Sequence, residues 1–191
     1  MSKWTTARCL VAPSNSIFIT VKGAGVGKMF PGTQAAIGRD IYAFEPSVEM
    51  NYSFVYRALQ YSIQDVIAKA HGDIPGLTKD HILSHGITVP GPRTQLAVSS
   101  KIEELFSTMD EADSALDRVR CLGERQKALP LKAASTRLRL SILRHAFTGK
   151  LVAHDPTDES ASLLLERIAA ERAASARHPA TRQARKMKVK A

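Results

Sequence analysis

The feature that most constrains the fold is a long helical pattern in the second half of the chain. Apolar residues recur at alternating steps of four and three between residues 98 and 119. This repeat is typical of a helix whose narrow apolar stripe contacts a partner helix. We therefore expect residues 93–151 to form a helical spacer whose stripe is a dimer or partner interface, comprising Val98, Ile102, Leu105, Met109, Leu116 and Val119, with Ala112 between them.

Two residues interrupt this pattern. Gly123 lowers helix propensity, and Pro130 removes an amide donor and clashes with the preceding helical turn. The sequence therefore predicts a spacer helix that is kinked or broken near Pro130. A generic coiled coil would show the same periodicity, so the repeat alone assigns no function.

The first 92 residues have the pattern of a small mixed α/β unit. Residues 14–48 contain two β-prone runs, SIFIT and IYAF, separated by a glycine-rich segment. Residues 51–70 have a helical apolar stripe, Thr78 is suited to cap a short helix, and Gly86 to Val89 reads as a last strand. With the spacer attached, the fold class is α+β.

The glycine-rich segment is the candidate binding loop. Glycines permit tight turns and close approach of the backbone to a ligand, and nearby Lys, Arg and Gln side chains offer donors to phosphates and base edges. It is not a Walker loop, because Lys22 occupies a required glycine position and Met29 replaces the Ser or Thr. A plain hairpin without a ligand remains an alternative. The candidate DNA-binding residues are Lys22, Lys28, Gln34, Arg39 and, in the short helix, Lys79.

Charge and composition narrow the class of protein. The net charge is +9, and residues 172–191 hold seven Lys and Arg but no Asp or Glu, so we expect residues 173–191 to be a basic, disordered tail. The two cysteines suggest no disulfide framework, and the six histidines lack metal-ligand spacing. We find no signal peptide, no bilayer-length apolar run and no catalytic constellation. These features predict a cytoplasmic, non-enzymatic protein with no membrane partner and no metal.

A distinctive segment follows the helical pattern, LRLSILRHAFTGKLVAHDPTDESASLLLERIAAER, from Leu138 to Arg172. It resembles the conserved repeat of the specificity subunits of type I restriction-modification systems, S-I-L-x-x-A-F-x-G-x-L-V followed by D-P-x-D-E-x-A and L-L-E-R-I. Upstream, Ile87, Pro90 and Gln95 match the start of that family's spacer helix, whereas Gly91 and Thr94 stand where Pro and Glu are commoner.

The resemblance implies a half-length specificity subunit. Residues 1–92 would be a target recognition domain shortened at its N-terminus, residues 93–151 the spacer, and residues 152–172 a conserved segment with a short helix. Such a subunit binds double-stranded DNA without catalysis, forms a homodimer through the stripe, and docks methyltransferase subunits and in some complexes a restriction or translocase subunit. No cofactor is expected on this chain; S-adenosylmethionine, ATP and Mg²⁺ would be bound by the partner subunits.

Two other interpretations remain open. A truncated remnant or regulatory coiled-coil subunit would bind the partner subunits without reading a DNA sequence. An unrelated coiled-coil protein would bind nucleic acid, if at all, only through residues 173–191.

Overall fold

The computed structural model describes residues 10–69, 76–120, 128–153 and 155–177. In these residues the protein is a mixed α+β structure with five short strands in two antiparallel sheets and five helices. The strands are β1 (Leu10–Ala12), β2 (Ile17–Thr20), β3 (Met29–Pro31), β4 (Ala35–Ile37) and β5 (Ile41–Phe44). The helices are α1 (Tyr52–Lys69), α2 (Lys79–Leu83), α3 (Pro92–Arg120), α4 (Ala128–Phe147) and α5 (Ala161–Arg177).

The larger sheet has the strand order β3-β2-β5, and the smaller one pairs β1 with β4. Ile17 and Ile19 of the central strand β2 are fully buried, because alternate residues of a strand point to the same face. They pair with Phe44 and Tyr42 of β5. This face of the sheet contributes to one hydrophobic core together with α1.

Helix α1 confirms the helical pattern predicted for residues 51–70. Its buried side chains recur at helical spacing and belong to the same core as Ile17 and Ile19. They are Phe54, Val55, Ala58, Leu59, Ile63 and Val66. The predicted N-cap of the next helix is also confirmed, since the Thr78 side chain accepts a hydrogen bond from the amide of His81 at 3.3 Å.

Helices α3 and α4 pack against each other in antiparallel directions. The Arg139 guanidinium lies 2.6 Å from Asp110 Oδ1, and the Ser135 hydroxyl donates to Asp113 Oδ2 at 2.7 Å, so later residues of α4 meet earlier residues of α3. Pro130 lies in the first turn of α4, where a missing amide breaks no helical hydrogen bond. Gly123 lies outside the described residues. The chain therefore shows a helical hairpin, and coiled-coil pairing with a second copy remains a prediction.

Several details differ from the sequence-based expectation. The residues from Gly86 to Val89 form no strand, although Ile87 packs against the core. Strands β1, β3 and β4 were not predicted, because three-residue strands carry too little alternation to register. Helix α5 runs to Arg177, so residues 173–177 are helical rather than disordered. The rest of the predicted tail, residues 178–191, lies outside the described residues.

Replacement of Ile102 by alanine should destabilise the protein far more than replacement of Leu116. Ile102 is 0% exposed, so Ile102→Ala leaves a cavity and should lower the free energy of unfolding by about 2–5 kcal/mol. Leu116 is 41% exposed, and Leu116→Ala should cost less than about 1 kcal/mol. Urea denaturation of both variants measures the difference; equal costs would show that α3 does not pack in this orientation.

Candidate nucleic-acid interface

The candidate binding loop is a hairpin between β2 and β3 that its own backbone closes. The Thr20 amide donates to the Lys28 carbonyl, and the Gly27 amide donates to the Thr20 carbonyl, both at 2.9 Å. Gly23 and Gly27 have φ values of +79° and +81°, in the left-handed region that favours glycine. The glycine spacing is thus required by the turn geometry of the hairpin.

Gly27 also seats the loop on α1. A Cβ atom at this position would lie 2.4 Å from Cδ1 of Ile67, so a side chain would require Ile67 to move. The loop is therefore held against the core while Lys22 and Lys28 stay exposed.

Two long-range hydrogen bonds bring other segments beside this loop. The Val21 amide donates to the Asp40 carbonyl at 2.9 Å, and the Leu77 amide donates to the Val21 carbonyl at 2.8 Å. The hairpin loop, the turn between β4 and β5, and the segment that leads into α2 consequently lie side by side.

Each of these three segments carries exposed positive charge. Lys22 and Lys28 lie in the hairpin loop, Arg39 lies in the β4–β5 turn, and Lys79 is the first residue of α2. The Arg39 side chain is 91% exposed and makes only a 3.9 Å contact with Asp40. Four of the five predicted DNA-binding residues therefore lie at one end of the larger sheet, and we call these four the cation cluster.

Gln34, the fifth predicted residue, lies elsewhere. It is exposed in the turn that follows Pro31, and Pro31 pairs with Ile17 at the opposite end of β2 from Thr20. A DNA contact by Gln34 would have to be made separately from those of the cation cluster.

Beside the cation cluster lies a groove of about 570 Å³ between the strands and α2. Its walls are apolar and aliphatic for the most part, with Arg39 and Lys79 as the charged residues. The lining residues are Leu10, Ile19, Ile37, Gly38, Arg39, Ile41, Tyr42, Ala43, Phe44, Lys79, Ile82 and Leu83.

The segment that carries the family resemblance returns to the start of α3 and caps it. The carboxylate of Asp158 accepts hydrogen bonds from the amides of Arg93 at 3.1 Å and Thr94 at 2.7 Å, which have no partner within the helix. Burial raises the pKa of the Asp158 carboxyl, but hydrogen bonds from Thr94, Arg93 and Glu159 outweigh burial and hold this pKa below 3.8. The cap is therefore ionised at neutral pH and complements the helix dipole.

Gly91 is required for this cap. A Cβ atom there would lie 2.2 Å from the Glu159 carbonyl oxygen and 2.5 Å from Cγ of Asp158. Any side chain at position 91 would therefore collide with the segment that caps α3.

Further residues of the same segment connect α5 to residues 10–92. Leu164 and Ile168 are buried, and the Arg167 guanidinium lies 3.0 Å from carboxylate oxygens of both Glu49 and Glu159. The Glu171 carboxylate accepts a hydrogen bond from the Ser47 hydroxyl. The segment fixes the position of the spacer relative to residues 10–92.

The predicted interface stripe divides in two. Val98 and Ile102 are buried within the chain, in the core shared with α1 and α4. Leu105 and Met109 are partly buried, and Leu116 is 41% exposed. The side chain of Val119 lies outside the described part of the structure. Only the portion of the stripe from Leu105 onward is accessible to a second copy in this arrangement.

The sequence analysis did not identify Phe106. Phe106 is buried where the predicted stripe had Leu105, which is only partly buried. The Arg57 guanidinium lies 4.6 Å and the Arg139 guanidinium 5.3 Å from the Phe106 ring centroid, so two cations lie against this ring. Arg57 also forms a bidentate pair with Glu103. Residues four apart lie on the same face of a straight helix, so the spacing of Ile102 and Phe106 indicated that both side chains would be buried together.

Neither a metal site nor a membrane span is found in the described residues. No group of three or more His, Cys, Asp or Glu side chains there is placed to hold a metal ion. Within the same ranges, no helix is both long and apolar enough to cross a bilayer.

Comparison with known proteins finds no matching family model, no similar curated protein and no similar solved structure.

Replacement of Asp158 by alanine should destabilise the protein in a pH-dependent way. At pH 7 Asp158→Ala should lower the free energy of unfolding by about 0.5–2 kcal/mol, as loss of a helix cap does. A carboxyl whose pKa is lowered by folding contributes stability above its unfolded pKa and loses it as pH falls through the folded value. The difference from wild type should therefore shrink by pH 3, measured by urea denaturation at both pH values.

Glu166→Ala is the matched control, because Glu166 is an exposed carboxylate on α5. Its effect should be small at both pH values. If Asp158→Ala lowered the free energy of unfolding at pH 7 no more than Glu166→Ala does, that result would contradict the capping role.

Proposed function

We propose that this chain is a non-catalytic DNA-specificity subunit of the kind found in type I restriction-modification complexes. Residues 10–92 would contact DNA, and the helices after residue 92 would hold the copies and partner subunits in register. The observation that carries this proposal is the collection of Lys22, Lys28, Arg39 and Lys79 at one end of the larger sheet.

The arrangement of the cation cluster suits contact with a phosphate backbone. Its residues come from three chain segments that backbone hydrogen bonds hold together, so their positions are set before a ligand arrives. Phosphate contacts fix the register of a protein on DNA, and base-edge contacts carry sequence information. Arg39 is the residue of the four with a fork of donors that matches a guanine edge or a phosphate.

The resemblance from Leu138 to Arg172 supports the same proposal. Its motif residues perform a definite structural task in this chain, because Asp158 caps α3 and Leu164 and Ile168 are buried. A segment that fixes a long helix to a DNA-contacting unit is what a subunit needs to hold two units at a set spacing.

Dimerisation and partner binding belong to this proposal. A half-length subunit needs a second copy to read a two-part site, and two-fold symmetry would then be imposed on the DNA. Among the stripe residues whose side chains the structure describes, Leu105, Met109 and Leu116 are at least partly exposed and could make that contact. Methyltransferase subunits would supply S-adenosylmethionine chemistry, and a restriction or translocase subunit would use ATP and Mg²⁺.

The proposed DNA contacts predict a change in the salt dependence of binding. In Lys28→Ala/Arg39→Ala, loss of two phosphate contacts should reduce the slope of log affinity against log salt by about 2. The measurement is fluorescence anisotropy of a labelled 30-base-pair duplex over a range of salt concentrations, with the full-length chain.

Lys101→Ala/Arg144→Ala is the matched control, because it removes the same charge from α3 and α4. Lys101 pairs with Glu104 at 2.8 Å, and Arg144 is exposed near the end of α4. This control should leave the slope unchanged. Equal slopes for wild type and Lys28→Ala/Arg39→Ala would contradict the DNA-contact role of the cluster.

A second experiment distinguishes a specificity subunit from a truncated remnant that binds only partner subunits. A specificity subunit should discriminate among duplexes from a randomised pool after repeated selection, whereas a remnant that binds only partner subunits should yield no enriched sequence. Loss of all DNA binding on deletion of residues 173–191 would instead favour an unrelated coiled-coil protein with a basic tail.

A further inference from the structure

The groove beside the cation cluster runs along the edge of a strand. All four residues of β5, from Ile41 to Phe44, line it. A cavity that touches four consecutive residues follows β5 along its length.

That edge is available in the part of the chain that the structure describes. There β5 pairs with β2 alone and is the outer strand of the three-stranded sheet. An edge strand presents backbone N–H and C=O groups on its outer side, which is a template for another strand.

The groove also has an unusual accumulation of exposed apolar surface. Leu10 and Leu83 both line it and are 67% and 58% exposed, and the fully buried Ile19 lines it as well. Contiguous exposed apolar surface with charged residues at its margin marks interaction sites in soluble proteins.

The charges at the margin restrict the ligand. Arg39 and Lys79 line the groove, and no Asp or Glu is among its lining residues. A ligand that places carboxylates beside these two cations and apolar groups between them would be complementary to the groove.

We propose that this groove docks an extended segment of a partner protein in which aliphatic residues alternate with Asp or Glu, added as a strand to the free edge of β5. The backbone of the segment would bond to β5, aliphatic side chains would fill the groove, and carboxylates would meet Arg39 and Lys79. The walls favour a peptide over single-stranded nucleic acid, since they are mostly aliphatic and nucleic-acid platforms use stacked aromatic rings. This inference does not require the proposed DNA function, but it uses Arg39 and Lys79, so DNA phosphates and the carboxylates of the segment would compete for these two cations.

The test uses a fluorescein-labelled, end-blocked peptide of alternating Glu and Val, seven residues long, titrated with the full-length protein and without DNA. Binding should be saturable by anisotropy. A peptide with Lys in place of Glu should bind at least 10-fold more weakly, and so should one N-methylated at alternate residues, because it cannot pair with a strand edge. No saturable binding of the Glu-Val peptide would overturn the proposal.

Variants locate the site. Leu83→Glu and, independently, Lys79→Glu should each weaken peptide binding at least 10-fold, because both place a negative charge in the groove. Leu138→Glu is the matched control, since Leu138 on α4 is 53% exposed and does not line the groove; it should bind like wild type. Circular dichroism verifies that each variant is folded, and equal binding by folded Lys79→Glu and wild type would overturn the proposal.

Competition distinguishes the other occupants. Unlabelled single-stranded oligonucleotide can compete with the peptide only for Arg39 and Lys79, so its ability to displace the peptide should fall as the salt concentration rises. The labelled peptide should bind one per chain without changing the sedimentation of the protein. An oligonucleotide that binds with higher affinity than the peptide and is lost in Leu83→Glu would assign the groove to nucleic acid. Self-association abolished by Leu83→Glu, without peptide binding, would assign it to a second copy.

Discussion

The structure depends on the contact between the Asp158 carboxylate and the first amides of α3. It joins two chain positions about 65 residues apart, since the hydrogen bonds to Arg93 and Thr94 span 65 and 64 residues. Because the helical hairpin of α3 and α4 lies between them, this contact ties the segment after α4 to the start of α3, and the core that both helices share with α1 holds the hairpin on the first unit. The ionised carboxylate also satisfies two helix amides that would otherwise lack partners.

The closed arrangement explains why the buried face of α3 follows the predicted stripe at Val98 and Ile102 and departs from it at Phe106. Its neighbour along the first four turns is its own chain, and a straight helix with 3.6 residues per turn presents Gln95, Ser99, Ile102 and Phe106 to that neighbour. A strict 3.5-residue stripe through Leu105 and Met109 would require a supercoiled partner. Ile102, common to both patterns, is fully buried.

Local signals in the sequence predicted the elements that local physics determines. Helix α1 follows from its amphipathic pattern, and α2 begins at Thr78 because that side chain caps it. The expected strand near Val89 was wrong, because the run from Gly86 to Val89 pairs with no strand in the described residues and Ile87 packs against the core. The position of the α3–α4 hairpin depends on contacts such as that between Arg139 and Asp110, which periodicity does not encode.

In the candidate site too, local sequence signals predicted the residues, and long-range contacts determine how they come together. Lys22, Lys28 and Arg39 were predicted from a glycine-rich loop, but their convergence with Lys79 depends on the long-range hydrogen bonds of Val21 to Asp40 and Leu77. Those bonds involve backbone atoms and leave no trace in residue type. The apolar groove is likewise formed by segments distant in sequence, so no single stretch indicates it.

The most direct measurement of the central claim is the mass of the complex formed when this chain is co-purified with a candidate partner DNA methyltransferase subunit from the same cell. Light scattering on the purified complex counts the copies of each chain. A specificity subunit of half length predicts a stable assembly with two copies of this chain. A folded chain that does not associate with the methyltransferase would contradict that role.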